Sequence, residues 1–179
     1  MPKNTEIERK FLVATDAFIK HATCKHEIRQ GYLCKEKGKT IRVRISDEMA
    51  FLTIKSSKLR EGIARFEWEK EIDIEDAREL LQMCEPRLIE KTRYIIPCTN
   101  AVSAMYEREG ERNDRKWEVD VFHGRLDGLI VAEIELEDEY EEFEKPEWLG
   151  EEVTSDPRYT NSYLSAASDE EIEEIINNP

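Results

Sequence analysis

Residues 6–13 read Glu6-Ile7-Glu8-Arg9-Lys10-Phe11-Leu12-Val13. Glu6, Glu8 and Lys10 recur at two-residue spacing, with Ile7 and Arg9 between them. Alternate side chains of a β-strand share a face, so one face of this segment carries two carboxylates and an ammonium side by side. Turned to water, such a face is ordinary solvated sheet. Turned to a cavity, it is a site.

The same alternation recurs along the chain, in segments 30–36, 39–46, 49–56, 63–72, 87–96, 115–122 and 128–137. Their β-branched and aromatic residues support strands. The stretches KEKGKT (35–40) and SSKLREG (56–62) read as hairpin turns with glycine. One face of these strands carries Arg42 and Arg44, Lys55, then Arg65, Glu67 and Glu69. It continues with Lys91 and Arg93, Glu118 and Asp120, Glu133 and Glu135. The other face carries Ile41/Val43/Ile45, Leu52/Ile54, Phe66/Trp68, Trp117/Val119/Val121 and Ile130/Ala132/Ile134.

On any one strand this is an amphipathic sheet with its ionic face in solvent. Taken together, the strands weaken that reading. Solvent faces mix Thr, Ser and Gln with charges, whereas here charges repeat in pairs and sort by sign. Arg42, Arg44 and Lys55 form a basic sector; Glu118, Asp120, Glu133 and Glu135 form an acidic one. Like charges about 7 Å apart on a strand are unfavourable unless something of opposite sign lies between them. Grouped arginines call for a polyanion, because the planar guanidinium makes two charge-assisted bonds to phosphate. Grouped carboxylates call for a hard divalent cation. One cavity holding both is a phosphoryl-transfer site in outline. The expected fold is α+β and mainly β: an eight-stranded antiparallel closed barrel, charged inside, with helices packed outside.

Helices are expected at 15–24 and at 73–84, where acidic residues precede Leu80, Leu81 and Met83 and Pro86 follows. The acidic stretch 137–145 reads as helix or loop. Ser168 and Glu171 form a capping box that starts a last helix. Residues 97–115 are too long for a tight turn and read as a polar excursion or a long hairpin.

The 179 residues carry a net charge of −14, with 38% charged residues. This length suits one domain over 1–179, with a helical segment at about 155–179. The negative excess argues against nucleic acid and anionic membranes as partners. A small anion remains admissible, because a local basic cluster dominates inside a screening length of about 8 Å. No apolar run spans a bilayer and no export pattern opens the chain, so a cytoplasmic location is expected. Cys24, Cys34, Cys84 and Cys98 form no CxxC pair and read as free thiols. His21, Cys24 and His26 match no common zinc spacing and read as part of a surface helix and its exit. His123 lies in a turn with a structural or surface role.

The Glu6-x-Glu8-x-Lys10 opening also resembles that of the CYTH superfamily, the triphosphate tunnel metalloenzymes. The likeness continues through QGYL (30–33), Arg42-Val-Arg44, Thr53-Ile-Lys55, Arg65-Phe-Glu67-Trp-Glu69, Lys91-Thr-Arg93, Trp117-Glu118-Val-Asp120 and Glu133-Ile-Glu135. It implies an eight-stranded tunnel that binds a small-molecule triphosphate with Mg²⁺ or Mn²⁺. By that resemblance Lys10, Arg42, Arg44, Lys55, Arg65, Lys91 and Arg93 hold phosphates, and Glu6, Glu8 and Glu135 bind metal, with Glu69, Asp120 and Glu133 as further candidates. Lys10, Glu8 and Glu69 carry the chemical step. The end of the chain resembles the short bacterial members, whose C-terminal helix closes one tunnel mouth. Arg158, Tyr159 and Asn161 match there, Arg158 as a substrate contact, with plain packing as the alternative. Tyr32 either approaches the tunnel or fills its wall. A homodimer is open as the assembly.

The expected activity is metal-dependent hydrolysis of inorganic triphosphate to pyrophosphate and phosphate. The alternatives are a class IV-type adenylyl cyclase, a thiamine or nucleoside triphosphatase, and a non-catalytic polyphosphate-binding module.

Overall fold

The computed structural model describes residues 5–36, 38–58, 65–84, 87–98 and 115–177. The side chains of residues 5, 6, 57, 58 and 65 fall outside that description, as does most of the 97–115 excursion. Among the described residues there are ten strands: β1 (Thr5–Glu6), β2 (Glu8–Val13), β3 (Cys24–Glu36), β4 (Lys39–Ser46), β5 (Met49–Lys58), β6 (Arg65–Ile72), β7 (Ile89–Pro97), β8 (Lys116–Phe122), β9 (Ile130–Glu135) and β10 (Leu149–Glu152). They form one antiparallel sheet in the order β1-β6-β5-β4-β3-β7-β8-β9-β2-β10. Three α-helices accompany it: α1 (Ile74–Gln82), α2 (Asn161–Leu164) and α3 (Asp169–Asn177).

The mainly-β antiparallel character is as expected, but the closed eight-stranded barrel is not what forms. Among the described residues the ladder has ten strands, and its two end strands, β1 and β10, are not paired with each other. The opening segment contributes strands to both halves of this order. It breaks at Ile7, so that β1 pairs with β6 while β2 pairs with β9. The other edge of β2 is taken by β10, which pairs Leu149 with Val13 and Glu152 with Phe11.

The apolar faces find three separate covers. Phe11, Trp117, Val119, Ala132 and Ile134 pack under Phe18, Leu136 and Trp148. Phe18 comes from a 3-10 turn over Asp16–His21, capped by Thr15 where a longer helix was expected. The 137–145 stretch forms turns rather than helix and sends Phe143 edge-on against Phe11 and Trp117. Val43 and Ala50 lie under Ala77 and Leu81 of α1, whose N-terminus is capped by Asp73. The third cluster fills one end of the ionic face. Ile89, Phe122 and Val131 continue the columns of Lys91, Asp120 and Glu133, and pack against Leu164, Ile172 and Ile175 of α2 and α3. The capping box forms as expected: Ser168 N–H donates to Glu171 Oε2 at 2.7 Å, and Glu171 N–H to Ser168 Oγ at 3.2 Å. Among the described residues no helix is long and apolar enough to cross a membrane.

Candidate active site

The ionic faces of β2, β4, β5, β6, β7, β8 and β9 surround a cavity of about 480 Å³. Lys10, Arg42, Arg44, Lys55 and Arg93 line it, together with Glu8, Glu67, Glu69, Glu118, Glu133 and Glu135. Strand register sets most of the pairing. Lys10 stands opposite Glu133, Lys55 opposite Glu67, and Arg93 opposite Asp120. Two positions break the rule: Glu8 opposes Glu135, and Glu118 opposes Glu133. Like charges directly across a ladder are destabilising unless a cation reaches between them.

On the acidic side, Lys10 Nζ lies 2.5 Å from Glu133 Oε1 and 2.8 Å from Glu8 Oε1. Burial opposes its charge, but Glu133 and Glu8 outweigh burial and hold the ammonium above its ordinary range. Burial likewise opposes the Glu133 carboxylate, which Lys10, Arg93 and Lys91 hold well below the usual carboxylate range. Arg93 donates from Nε to Asp120 Oδ1 at 2.6 Å, from Nη2 to Asp120 Oδ2 at 2.7 Å and to Glu133 Oε2 at 3.1 Å, and also pairs with Glu118. Behind it, Lys91 Nζ donates to Asp120 Oδ2 at 2.5 Å and to Asn161 Oδ1 at 3.2 Å. Burial pushes Lys91 down to about 8. Asp120 stays ionised against its own burial because Arg93 and Lys91 flank it. At neutral pH the buried pair is therefore an ammonium and a carboxylate.

On the basic side, one carboxylate gathers two guanidinium groups. Glu69 accepts from Arg44 Nη2 at 3.0 Å, from Arg42 Nη2 at 3.5 Å and from Thr53 Oγ1 at 2.6 Å. Arg42 Nη2 also donates to Thr53 Oγ1 at 3.2 Å. Lys55 Nζ pairs with Glu67 at 2.9 Å. The buried Nε atoms of Arg42 and Arg44 have no acceptor among the described residues. Tyr32 does reach the cavity. Burial pushes its phenol up, so it stays an O–H donor at neutral pH.

Nine residues expected for the site therefore line one cavity: Glu8, Lys10, Arg42, Arg44, Lys55, Glu69, Arg93, Glu133 and Glu135. Lys91 and Asp120 do not line it. Each is 1% exposed, and the two sit behind Arg93 as its support. Arg158 turns away, because Asp156 caps the 3-10 turn at Pro157–Tyr159 and takes the guanidinium, Nη2 to Oδ2 at 2.7 Å. The side chains of Glu6 and Arg65 lie outside the described residues. Sequence reading assigned no site role to Thr53, although it stood in phase with Lys55. It also passed over Lys39, Arg115, Lys116, Thr160 and Ser162, which line the cavity from strand ends and from the C-terminal segment. Alternation carries no information at strand ends, where chain direction decides what faces a mouth.

Among the described residues no three acidic, imidazole or thiol groups converge as a ready metal cluster. Several cavity carboxylates are drawn onto Lys10, Arg93, Arg42 and Arg44 instead. The donor set is nevertheless all hard oxygen, and the Glu8/Glu135 apposition leaves a like-charge pair that a divalent cation would relieve. The residues fit such an ion.

Two curated relatives align over most of the chain. An inorganic triphosphatase of Acetivibrio thermocellus is 44% identical over 160 residues, covering 89% of this chain and 92% of that protein. An inorganic triphosphatase of Nitrosomonas europaea is 39% identical over 167 residues, covering 90% and 97%. Among solved structures, the inorganic triphosphatase NE1496 superposes with a TM-score of 0.61 at 33% identity, covering 91% of this chain and 99% of that one. The CYTH domain family matches residues 4–168, which takes in every cavity-lining position named above, and the chain belongs to that family.

Proposed function

We propose that this protein hydrolyses inorganic triphosphate to pyrophosphate and phosphate, with Mg²⁺ or Mn²⁺ as the cation. The observation that carries this reading is the single cavity in which a basic wall, Arg42, Arg44 and Lys55, faces an acidic one, Glu8, Glu133 and Glu135. The names of the two curated relatives support the same activity.

The chain's own residues divide the work. Arg42, Arg44, Lys55 and Arg93 take phosphoryl oxygens, exchanging their carboxylate partners for the substrate. Arg42 and Arg44 line the cavity, and their planar guanidinium groups make paired charge-assisted bonds to phosphoryl oxygens. Glu69 holds both guanidinium groups, and Thr53 holds Glu69 and Arg42. Lys10, kept as ammonium by Glu133 and Glu8, donates to the phosphoryl group under attack. Lys91 and Asp120 fix Arg93 from behind. Glu8 and Glu135 are the residues best placed to hold the cation, with Glu133 beside them; Glu8 also orients the attacking water. A bound divalent cation supplies charge neutralisation on the phosphoryl oxygens and a more acidic water. Among the described cavity-lining residues there is no Cys or His, and Ser56 and Ser162 have no lining histidine to act as a base, so water attacks directly.

The test is product release from tripolyphosphate, ATP and thiamine triphosphate, each with Mg²⁺, with Mn²⁺ and with EDTA. Fast metal-dependent phosphate release from tripolyphosphate, with little from the others, is the expected result. Cyclic AMP and pyrophosphate from ATP would make the protein a cyclase. Binding of tripolyphosphate without turnover would make it a polyphosphate-binding module.

A further inference from the structure

Cys24 and His26 belong to the opening of β3 rather than to a helix exit. Strand alternation puts both on one face, two residues apart. Register identifies that face: Cys24 pairs with Ile95 and His26 with Arg93, so both lie on the side that carries the cavity-lining Arg93. Cys24 is exposed there, at the end of the ionic face farthest from α2 and α3.

Three side chains are in line. Cys24 Sγ is 3.7 Å from His26 Nε2, within hydrogen-bonding reach for sulfur. His26 Nδ1 is 2.7 Å from Asp47 Oδ2. Asp47 is itself pinned. Its Oδ1 accepts from Glu27 N–H at 2.9 Å, its own N–H donates to Glu27 O at 3.0 Å, and its backbone holds a left-handed φ of 53° in the β4–β5 turn. The His26 hydrogen bond, with that of Glu27 N–H, holds the Asp47 carboxyl below its usual range, so it is an acceptor at neutral pH. An acceptor on Nδ1 selects the tautomer with its proton there and leaves Nε2 as a base facing the thiol. Arg93, paired with Asp120, and Glu118 on β8 lie on this face. Lys25 and Glu27 alternate to the opposite face. Both imidazole nitrogens are engaged, which separates this arrangement from a metal pair.

We propose that Cys24 is a nucleophilic thiol that reacts with small disulfides, with His26 as its general base and Asp47 orienting the imidazole. In the step, the Sγ proton passes to His26 Nε2 as Sγ attacks one sulfur of the disulfide. The disulfide S–S bond breaks, a new one forms to Cys24, and the leaving thiolate takes the proton from His26. Cys24 is oxidised to a mixed disulfide and one sulfur of the small disulfide is reduced to a thiol, with no other reactant. The arrangement is that of a thiol nucleophile, its base and the group that orients the base.

The experiment is peptide mass mapping of each cysteine after timed exposure of the full chain to glutathione disulfide at pH 7. Cys24 is expected to react faster than Cys34, Cys84 and Cys98, and faster in the folded chain than in the same chain unfolded in urea. His26→Asn should slow Cys24 about tenfold or more. Asp47→Asn should slow it by less, and dithiothreitol should reverse the adduct. Circular dichroism establishes that each variant is folded. A Cys24 rate equal to that of the unfolded chain would mean exposure alone. A rate within twofold of wild type in folded His26→Asn would remove the base. Either result overturns the proposal.

Discussion

Lys10 and Thr53 show how much a single side chain decides here. Lys10 is 6% exposed and holds its charge only because Glu8 and Glu133 are within 3 Å. Lys10→Ala should lower triphosphate turnover about a hundredfold or more while circular dichroism stays native. Glu8→Gln keeps the shape and removes the charge; a comparable fall is expected, and wild-type turnover in that variant would cancel its assignment as a metal ligand. Thr53 is fully buried and spans Arg42 and Glu69. Thr53→Val replaces the hydroxyl by a methyl and takes one donor from the part-exposed Glu69 carboxylate and one acceptor from Arg42, a loss of about 1–1.5 kcal/mol. The expected readout is a KM for tripolyphosphate raised about tenfold or more, with kcat less affected. Lys10 was legible in the sequence, since its spacing from Glu6 and Glu8 marks the strand face. Thr53 was not, because a threonine on a strand is equally at home anywhere.

At the scale of elements, the packing of helices and turns on the sheet yields sharper predictions than propensity does. Gly31 on β3 lies under the end of α1. A Cβ there would fall under 3.0 Å from Cys84 Cβ, Cys84 Sγ and Leu88 Cδ2. Gly31→Ala should destabilise the protein by about 1–3 kcal/mol, measured by urea unfolding. Trp117 is 1% exposed and meets Phe11, Phe143 and Trp148 edge to face. Trp117→Ala should cost about 3–5 kcal/mol in the same measurement. At the end of β7, burial pushes the Cys98 thiol up to about 11. The folded group is thus neutral below that pH. Alkylation by iodoacetamide at pH 8 should be slow at Cys98, about one thiolate in a thousand, and should accelerate tenfold per pH unit towards pH 11. The elements missed by sequence reading share one cause. The first half of β3 sets Cys24, His26 and Ile28 against Lys25, Glu27 and Arg29, a weak apolar contrast, and β10 has almost none. Both exist because a neighbouring strand supplies hydrogen bonds: β4 and β7 for β3, β2 for β10.

For the whole molecule, charge is the organising quantity. A chain of net −14 gathers Lys10, Lys39, Arg42, Arg44, Lys55, Arg93, Arg115 and Lys116 around one cavity and matches these eight with seven carboxylates among the described residues. A polyanion entering that balanced wall needs added positive charge. EDTA should therefore abolish turnover, and Mg²⁺ or Mn²⁺ should restore it, in the phosphate-release assay. The pattern of paired charges and the membership of ionic and apolar faces were determined by the sequence itself, because a strand's two-residue period writes each face into the chain. Tertiary structure alone decided four things: that the ladder stays open, that Arg158 turns to Asp156, that Asp120 and Lys91 retire behind Arg93, and that Ile89, Phe122 and Val131 end the ionic face in an apolar floor. Each depends on which distant segment arrives alongside, β10 at the edge of β2 or α2 and α3 beneath β7, and a local period says nothing about such arrivals.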